Sequence, residues 1–358
     1  MGKIDDFREK IDKIDSNILK LLNKRATFAL GIGHEKMKAG KHHFHVPHRE
    51  KAIFKRLEKI NTGPFTNKAI FPIFREILSA TLCLEKPLTI AYLGPEGTFS
   101  HLAGAHEFGK SVHYQPQNSI EDVFKAVEKK MTDYGIVPVE NSIEGTVNNT
   151  LDMLIQTTLN VTGEIIMSVS HYLLSLEKDM GKIKKIYSHP QPVAQCRSWL
   201  KENLPRAIIQ EVSSTAKASE LASKHPFTGS IAGKATSKIY GLNILAKRIE
   251  DSVNNVTRFL IVGREMPKKS DKNKTSLLFS VKHKPGALFE VLSHFAKNNI
   301  NLIKIESRPL KNKKWEYLFF VDIEGYYKDI KINNSIAEIE NSSLFFKILG
   351  SYPTGKEV

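Results

Sequence analysis

One basic residue, Arg25, stands where the pattern of a helix predicts an apolar side chain. Along residues 4–38, the positions spaced alternately by three and four are Phe7, Ile11, Ile14, Ile18, Leu21, Arg25, Phe28 and Ile32, which is typical of one helix face. A buried guanidinium is costly without an anion beside it. Lys36 lies ~20° around the helix from Arg25 and ~16 Å along it, so both could reach one small anion. A buried ion pair with a solvent-reaching lysine explains this spacing equally well.

Four additional polar residues within 1–86 lie on predicted helices. Arg49 and Glu50 open a second helix that starts at Pro47, where amide groups favour anions. Thr81 and Glu85 lie one turn apart near the end of a third helix, which Pro72 is expected to start or kink. Such a set makes a poor core and a suitable cage for a dicarboxylate.

From Lys86-Pro87 onward, short runs rich in β-branched residues alternate with helical stretches, which predicts an α/β sheet long enough for two lobes. The predicted strands are 88–93, 135–139, 165–173, 186–188, 208–212, 230–232, 244–246 and 259–262. After a charged linker at 266–274, the predicted order is strand, helix, strand, strand, helix and strand, which is a ferredoxin-like fold.

Polar side chains follow the ends of several predicted strands. They are Thr98, Ser100, Asn141, Ser188, Gln195, Ser213 and Ser214. Ligands of α/β sheets bind at such ends. Helix capping explains any one of these turns, but it explains the whole set less well. Cys196 is disfavoured as a nucleophile because it lies inside a predicted helix without a clear partner base.

Residues 1–86 resemble the all-helical chorismate mutase domain, through segments 7–11, 21–25, 46–50 and 74–80 and through Lys36. The resemblance implies roles for seven residues. Arg8, Arg25 and Arg49 would anchor the carboxylates of chorismate, Lys36 and Glu85 would flank the breaking ether oxygen, Glu50 would hold the ring hydroxyl, and Thr81 would join the substrate-binding set. Glu85 can donate to the ether oxygen only while it carries a proton, so mutase activity is expected to improve toward acid pH.

Arg8 is seventeen residues from Arg25, or ~25 Å along one straight helix. The two side chains therefore cannot grip one small ligand in one chain. If Arg8 is catalytic, it must reach the site of a second protomer, so a homodimer with intertwined helices, or a higher homo-oligomer, is expected.

Residues 88–263 resemble prephenate dehydratase, through segments 92–100, 138–149, 188–196 and 255–259. The resemblance implies a two-lobed fold like that of periplasmic binding proteins, with the site between the lobes. It implies Thr257 as the acid for the departing hydroxyl. The implied substrate-binding set is Asn141, Ser188, Gln195, Thr98, Ser100, Ser213, Ser214, Arg258 and Phe259. No metal or organic cofactor is expected.

Residues 275–351 resemble an ACT domain, through segments 284–288 and 305–309. In dehydratases these segments bind phenylalanine where two such domains pair, which implies feedback inhibition. The implied allosteric residues are Pro285, Gly286, Ala287, Leu288, Glu306, Ser307, Arg308 and Pro309. An ordinary ferredoxin-like interaction domain is the alternative.

Charge and composition narrow the possible partners. The net charge is +15, and residues 1–86 hold 18 Lys or Arg against 10 Asp or Glu. Solvated lysine side chains or a surface that binds nucleic acid could explain this excess of positive charge. A nucleic-acid surface is disfavoured, because Arg25 lies on the apolar stripe and not on an outer face of the helix.

No run of residues has the apolar length of a membrane span, and the start resembles no signal peptide. With Cys83 and Cys196 expected to be reduced, a cytoplasmic protein is predicted.

Four histidines, His42, His43, His45 and His48, lie in or beside one loop. They lack the helical or Cys-x-x-Cys context of structural metal sites, so a metal is not expected there.

The sequence thus predicts three domains, at 1–86, 87–266 and 274–351: an all-α domain, a two-lobed α/β domain and an α+β ferredoxin-like domain. The expected function is the conversion of chorismate to prephenate and of prephenate to phenylpyruvate under phenylalanine control. Two alternatives stay open. One is a dehydratase with an inactive helical domain, and the other is a non-enzymatic protein that binds small anions.

Overall fold

The computed structural model describes residues 2–39, 47–252, 254–309, 317–355 and 357–358. A helical segment is followed by an α/β segment with two sheets and by a four-stranded sheet with two helices. The predicted multidomain fold class is confirmed. The chain forms two compact units, Met1–Thr89 with Ala105–His113, and Ile90–Gly104 with Tyr114–Val358.

The described residues of the helical segment form α1 (Lys3–Lys38), α2 (Pro47–Ile60) and α3 (Asn67–Glu85), with α1 packed along α3. A Cβ atom on Gly33 would lie 3.4 Å from the side chain of Glu85, so the two helices approach closely there. Pro72 was predicted to start or kink the third helix; it does not start it, because Pro72 lies inside α3, and a kink there stays a prediction. Ile70 and Phe71 continue the apolar period toward the N-terminus, and this packing extends the helix past the proline.

The apolar stripe of α1 is largely uncovered. The buried residues of α1 are Ala29 and Gly33. The exposed large apolar side chains of its first five turns are Ile4, Phe7, Ile11, Ile14, Ile18, Leu19 and Leu21, each at least 48% exposed. A continuous exposed stripe of this kind marks an interaction surface.

The first lobe of the α/β segment is built on one sheet with the order β2-β1-β3-β11-β5, and β4 pairs with β3. Strand β11 runs antiparallel between β3 and β5. The strands are β1 (Thr89–Leu93), β2 (His113–Gln117), β3 (Tyr134–Asn141), β4 (Gly145–Thr146), β5 (Asn160–Ser168) and β11 (Val256–Gly263). The helices are α4 (Phe99–Phe108), α5 (Ile120–Glu128) and α6 (Asn148–Gln156).

The second lobe is built on a separate sheet with the order β10-β6-β9-β7-β8. The strands are β6 (Tyr172–Ser175), β7 (Lys185–Ser188), β8 (Ile208–Glu211), β9 (Thr228–Ala232) and β10 (Asn243–Lys247). The helices are α7 (Pro190–Gln195), α8 (Arg197–Asn203), α9 (Thr215–Ala222) and α10 (Lys234–Ile239), with a 3-10 turn at Met180–Lys182.

The chain crosses between the lobes at residues 169–171 and again between β10 and β11, where the described residues are 248–252 and 254–255. The two crossing segments are hydrogen-bonded, since the N–H of Val169 donates to the carbonyl of Asn255 at 2.7 Å and that of Ile249 to the carbonyl of His171 at 2.9 Å. The prediction of a single strand over 165–173 is wrong. This stretch contains the end of β5, a crossing and the start of β6, and an apolar run cannot reveal that the chain changes sheets within it.

The C-terminal segment has the predicted βαββαβ order and the sheet order β13-β14-β12-β15. Its elements are β12 (Asn273–Ser280), α11 (Ala287–Lys297), β13 (Leu302–Pro309), β14 (Tyr317–Glu324), α12 (Ile330–Ser342) and β15 (Phe345–Pro353). One face of the sheet packs on α11 and α12, while Leu278 and Phe320 on the other face share an apolar cluster with Leu260 of β11. Strand β12 is therefore buried along its whole length.

Candidate active sites

The helical segment brings four of the predicted mutase residues together. A guanidinium nitrogen of Arg25 on α1 donates to Oγ1 of Thr81 on α3. Nζ of Lys36, near the end of α1, lies 3.3 Å from Oε2 of Glu85. Burial lowers the pKa of Arg25, and the negative charge of Glu85 partly offsets this. Two cations, a hydroxyl and a carboxyl group therefore share one partly buried region of the α1–α3 interface.

The other predicted mutase residues are placed differently. Glu50 on α2 pairs with Arg75 of α3 at 2.6 Å, and the Arg75 guanidinium lies 4.8 Å from the ring centroid of Phe54. The sequence reasoning did not single out Arg75. Arg49 is exposed. Arg8 has a side chain that is 74% exposed and lies 3.6 Å from Asp5.

The α/β segment contains a hydrogen-bonded pair at the predicted dehydratase site, formed by Asn141 at the end of β3 and Thr257 on β11. Nδ2 of Asn141 donates to Oγ1 of Thr257 at 2.9 Å, and both residues are at most 9% exposed. The pairing of β3 with β11 places the two residues directly opposite each other. The neutral amide thus fixes the threonine hydroxyl in a site with little water.

This pair continues into a chain of buried polar side chains. Asn141 Nδ2 also donates to Oδ1 of Asn255 at 2.8 Å, and Asn255 Nδ2 donates to Oε1 of Gln195 at 2.9 Å. Nε2 of His171 lies 2.7 Å from the same Gln195 oxygen. We refer to Thr257, Asn141, Asn255, Gln195 and His171 as the amide chain. It joins the first lobe to the second through both crossing segments.

Sequence reasoning missed two members of the amide chain. Asn255 belongs to the segment 255–259 but has no predicted role, and His171 lies within the predicted strand 165–173. A polar residue inside the apolar run 165–173 was the available signal, because a histidine in a buried strand needs a partner.

The other predicted dehydratase residues are not members of the amide chain, and three of them form hydrogen bonds with nearby backbone groups. Ser188 is fully buried at the end of β7 and donates to the carbonyl of His189. Thr98 donates to the carbonyl of Leu93 at 2.8 Å, and Ser100 is buried at the start of α4. Ser214 caps α9 by accepting from the N–H of Lys217, and Ser213 is exposed. Capping therefore explains Ser214.

Two contacts link the first lobe to the second beside the amide chain. Gly97 has a φ of +87°, and a Cβ atom there would lie 2.9 Å from Thr236 of α10, so only glycine fits this approach. Burial raises the pKa of Glu144, whereas its hydrogen bond with Gln191 of the second lobe acts in the opposite direction.

Arg258, which was predicted to bind substrate, takes part in a buried cluster of ion pairs, and its contact with a substrate stays a prediction. Its guanidinium bonds Glu164 of β5 at 2.8 Å, Asp322 of β14 at 2.6 Å and Tyr352 of β15 at 3.0 Å. Lys274 of β12 also bonds Glu164, at 2.8 Å. Burial alone would lower the pKa of Arg258, but its acidic neighbours raise it overall. Arg258 therefore joins the first-lobe sheet to the C-terminal sheet.

The next residue of β11, Phe259, is 2% exposed, and its contact with a substrate stays a prediction. Cys196 is fully buried, and burial raises its thiol pKa well above the usual range. That environment makes it a poor nucleophile, as the sequence suggested.

The two segments of the C-terminal module that were predicted to bind phenylalanine are arranged differently. Gly286 precedes α11 with a φ of +80°, Pro285 is exposed, Ala287 is buried and Leu288 is half-buried. Along β13, Ser307 and Pro309 are exposed, while Glu306 and Arg308 point the other way. Arg308 bonds Asp152 at 2.7 Å, and Lys304 bonds Glu140 at 2.8 Å. Alternate residues of β13 thus bind the first lobe.

Within the described ranges, no group of three or more metal-ligating side chains could hold an ion. His42, His43 and His45 lie outside the described residues. No helix in the described part of the chain combines the length and apolar character that crossing a membrane requires.

Three sequence families match successive parts of the chain: chorismate mutase type II at residues 7–86, prephenate dehydratase at 90–267 and the ACT domain at 275–326. A bifunctional chorismate mutase/prephenate dehydratase of Aquifex aeolicus is 46% identical over 99% of this chain and 98% of its own. The corresponding protein of Neisseria gonorrhoeae is 42% identical over 97% of this chain and 96% of its own.

A prephenate dehydratase from Arthrobacter aurescens, solved in complex with L-Phe, is similar in structure. It has a TM-score of 0.69 and 32% identity, and the match covers 74% of this chain and 90% of that one. Because the similarity to the curated relatives runs through all three segments without interruption, the chain belongs to the family of bifunctional chorismate mutase/prephenate dehydratases.

Proposed function

We propose that this protein catalyses two successive reactions, the rearrangement of chorismate to prephenate and the conversion of prephenate to phenylpyruvate. The observation that carries the proposal is that one chain holds both a cationic cluster between helices and a buried amide–hydroxyl pair. The first suits a dianionic substrate, and the second suits the removal of a hydroxyl group. We assign the first reaction to residues 1–86 and the second to residues 87–266.

The mutase reaction needs binding and charge stabilisation only. One carbon–oxygen bond breaks while one carbon–carbon bond forms, and no proton or nucleophile takes part. Arg25 would hold a carboxylate, and Lys36 would donate to the ether oxygen as negative charge develops on it. Glu85, beside Lys36, would donate to the same oxygen when protonated. Glu50, held by Arg75, would accept from the ring hydroxyl.

Arg8 would complete this site from a second copy of the chain. It lies ~25 Å from Arg25 along α1, and the apolar stripe beside it is exposed through Ile4, Phe7 and Ile11. Pairing of two α1 helices along this stripe would bury the apolar side chains and bring Arg8 to the partner's cluster. A homodimer is therefore part of the proposal.

The dehydratase reaction needs one directed proton donor. Oγ1 of Thr257 accepts from Asn141, so its own proton is free to point at the leaving hydroxyl of prephenate. The carboxylate leaves as carbon dioxide, its bonding electrons enter the ring, and the ring carbon–oxygen bond breaks. The departing hydroxide takes a proton and leaves as water, and solvent restores the proton of Thr257. Aromatisation drives the step, so a weak acid in a preorganised site suffices.

Phenylalanine would act as the effector of the C-terminal module, residues 274–351. Gly286 has a left-handed backbone and open space where a Cβ atom would lie, so a carboxylate could approach the start of α11 there. Lys304 and Arg308 tie the neighbouring strand to Glu140 and Asp152 of the first lobe. An effector that moves β13 would therefore act on the turn that carries Asn141. We further propose a cytoplasmic enzyme with reduced thiols.

A coupled assay on the purified full-length protein tests the function. Chorismate loss and phenylpyruvate formation are followed, first from chorismate, then from prephenate, with and without phenylalanine. The proposal expects phenylpyruvate from both substrates and suppression by phenylalanine. Consumption of prephenate alone would leave a dehydratase with an inactive helical segment. Consumption of neither substrate would favour a protein that binds small anions.

Subunit mixing tests the shared mutase site. Arg8→Ala and Lys36→Ala should each abolish mutase activity as homodimers. After joint denaturation and refolding at equal amounts, random pairing should restore about a quarter of the wild-type rate, because half of the dimers carry one intact site. Lys13→Ala, also exposed on α1 and paired with Glu9, is the control and should stay active alone. Failure of the mixture to recover activity would reject a site shared between chains.

A further inference from the structure

His171 lies in the first crossing segment, between β5 and β6, and is 2% exposed. Its backbone is held by the second crossing segment. Its N–H donates to Oε2 of Glu250 at 2.9 Å, and its carbonyl accepts from the N–H of Ile249 at 2.9 Å. The ring lies 6.2 Å from that of Phe99 in an edge-to-face arrangement. The imidazole is therefore fixed at the junction of the two lobes, with its Nε2 atom against Gln195.

The direction of every hydrogen bond in the amide chain can be assigned by starting from Asn141. Oδ1 of Asn141 accepts from the backbone N–H groups of Ile143 and Glu144 at 3.0 and 3.2 Å. A backbone N–H is a donor only, so the amide orientation of Asn141 is determined, which is not usual for asparagine. Nδ2 of Asn141 must then donate, both to Thr257 and to Oδ1 of Asn255.

The same logic continues to the histidine. Because Oδ1 of Asn255 accepts, its Nδ2 must donate, and it donates to Oε1 of Gln195. An amide oxygen carries no proton, so His171 must supply the hydrogen for its own 2.7 Å contact with that oxygen. His171 therefore carries a proton on Nε2, and four successive hydrogen bonds connect it to the hydroxyl of Thr257.

Two donors from the two crossing segments thus hold one oxygen of Gln195. This arrangement also determines where the Gln195 nitrogen points. A flipped amide would place Nε2 against the N–H groups of Asn255 and His171, which is donor against donor. In the observed orientation Nε2 is buried and has no hydrogen-bond partner in the described part of the protein. A buried amide nitrogen with unused protons is suited to an oxygen of a bound substrate.

We propose that His171, as the Nε2–H tautomer, is a positioning residue of the dehydratase reaction that holds Gln195 with its amide nitrogen toward an anionic oxygen of the substrate. The inference rests on the proposed dehydratase function and deepens it. His171 acts through Gln195 and touches neither the leaving hydroxyl nor Thr257. It also links the orientation of Gln195 in the second lobe to Asn141 and Thr257 in the first lobe.

Two substitutions of nearly equal shape separate this role from packing. His171→Gln keeps a nitrogen donor at the position of Nε2, whereas His171→Met fills similar space without a donor. Wild type and both variants are compared for kcat and KM with prephenate. Calorimetric melting of the unit that contains both lobes reports whether each preparation is folded. We expect His171→Met to lower kcat/KM for prephenate by about 10- to 100-fold, the range for a misplaced binding group. His171→Gln should stay within about threefold of wild type.

Equal losses in the two variants, or no loss in either, would overturn the proposal. A second measurement does not need dehydratase activity. Long-range proton–nitrogen NMR correlation on the 15N-histidine-labelled wild-type protein reports the tautomer of each ring, and the Gln variant assigns the signal. A protonated Nε2 and a bare Nδ1 are expected, and a proton on Nδ1 alone would contradict the inference. If wild type shows this tautomer without converting prephenate, the function fails and the hydrogen-bond assignment stands.

Discussion

The two candidate sites use opposite means of holding a substrate. The helical cluster consists of charged groups that are partly open to solvent, and its proposed set includes Arg8, which one chain cannot bring to Arg25. The amide chain consists of neutral groups that are at most 9% exposed, and all five members belong to one chain. With the proposed role of Arg8, the first site would need a second chain, whereas the hydrogen bonds of the second site form within one chain.

The difference follows from the chemistry that each site must perform. A rearrangement of a dianion is served by positive charge, whose attraction is long-ranged and tolerates imprecise geometry. The loss of a hydroxyl group needs one proton donor aimed at one oxygen, and a hydrogen bond weakens steeply when its angle is wrong. Fixed charge can therefore come from flexible side chains and from a second subunit, while a directed hydroxyl needs a preorganised network.

The strongest test of this contrast is the removal of the Thr257 hydroxyl. Thr257→Val should lower the dehydratase kcat by about 10²- to 10⁴-fold, the usual contribution of a positioned acid, and leave the mutase rate unchanged. Thr162→Val is the matched control, because Thr162 is also buried in the first lobe and bonds only a backbone carbonyl. A similar loss in both variants would mean that Thr257 is needed for folding and not for proton donation.

Arg258 offers the next largest effect, on stability. Arg258→Met would leave the buried carboxylates of Glu164 and Asp322 without their shared partner, at a cost of about 3–5 kcal/mol. Calorimetry should show a lower melting temperature for the unit that contains both lobes and the C-terminal sheet. Lys10→Met, which removes an exposed pair with Asp6, should change stability by less than about 1 kcal/mol. Equal effects would show that the buried cluster does not hold the two sheets together.

Lys36→Met should lower the mutase kcat by about 10²- to 10³-fold, because one donor to the developing charge is lost. The dehydratase rate of the same protein should not change. Lys38→Met is the control, since Lys38 is 75% exposed and pairs with Glu35. A mutase rate that survives in Lys36→Met would remove the ether-oxygen role from this side chain.

The smallest expected effect concerns acid stability. Burial lowers the pKa of His171 below the usual value for histidine of about 6.5, so below that pH the unfolded chain binds a proton that the folded chain does not. Stability is therefore lost as the pH falls below about 6.5, by at most about 1.4 kcal/mol per pH unit. His171→Gln lacks this contribution and should lose less stability over the same range in calorimetric melts.

Burial also lowers the pKa of His101, His106 and His189. These residues are present in both proteins, so their contribution cancels in the comparison. Parallel losses of stability in wild type and variant would indicate that His171 is not buried in its neutral form.

The local pattern of the sequence was sufficient for most of the fold. The period of α1 and the order of elements in the C-terminal module were predicted from spacing alone, because helix and strand periodicity is written in neighbouring residues. The motifs around Asn141 and Thr257 predicted two site residues that the fold brings into hydrogen-bond contact. The pattern gave a wrong prediction at residues 165–173, where it indicated one strand. An apolar run has the same appearance whether the chain stays in one sheet or crosses to another.

The sequence by itself therefore determined which elements form, which family the motifs resemble and which residue types are available for chemistry. The tertiary structure decided which of them meet. Asn141 and Asn255 are 114 positions apart and Gln195 and Asn255 are 60 apart, so no local pattern could connect them. It also turned Arg258 away from its neighbour Thr257 toward the C-terminal sheet, because alternate residues of a strand face opposite sides. Hydrogen-bond direction depends on positions in space, and only the folded chain supplies those.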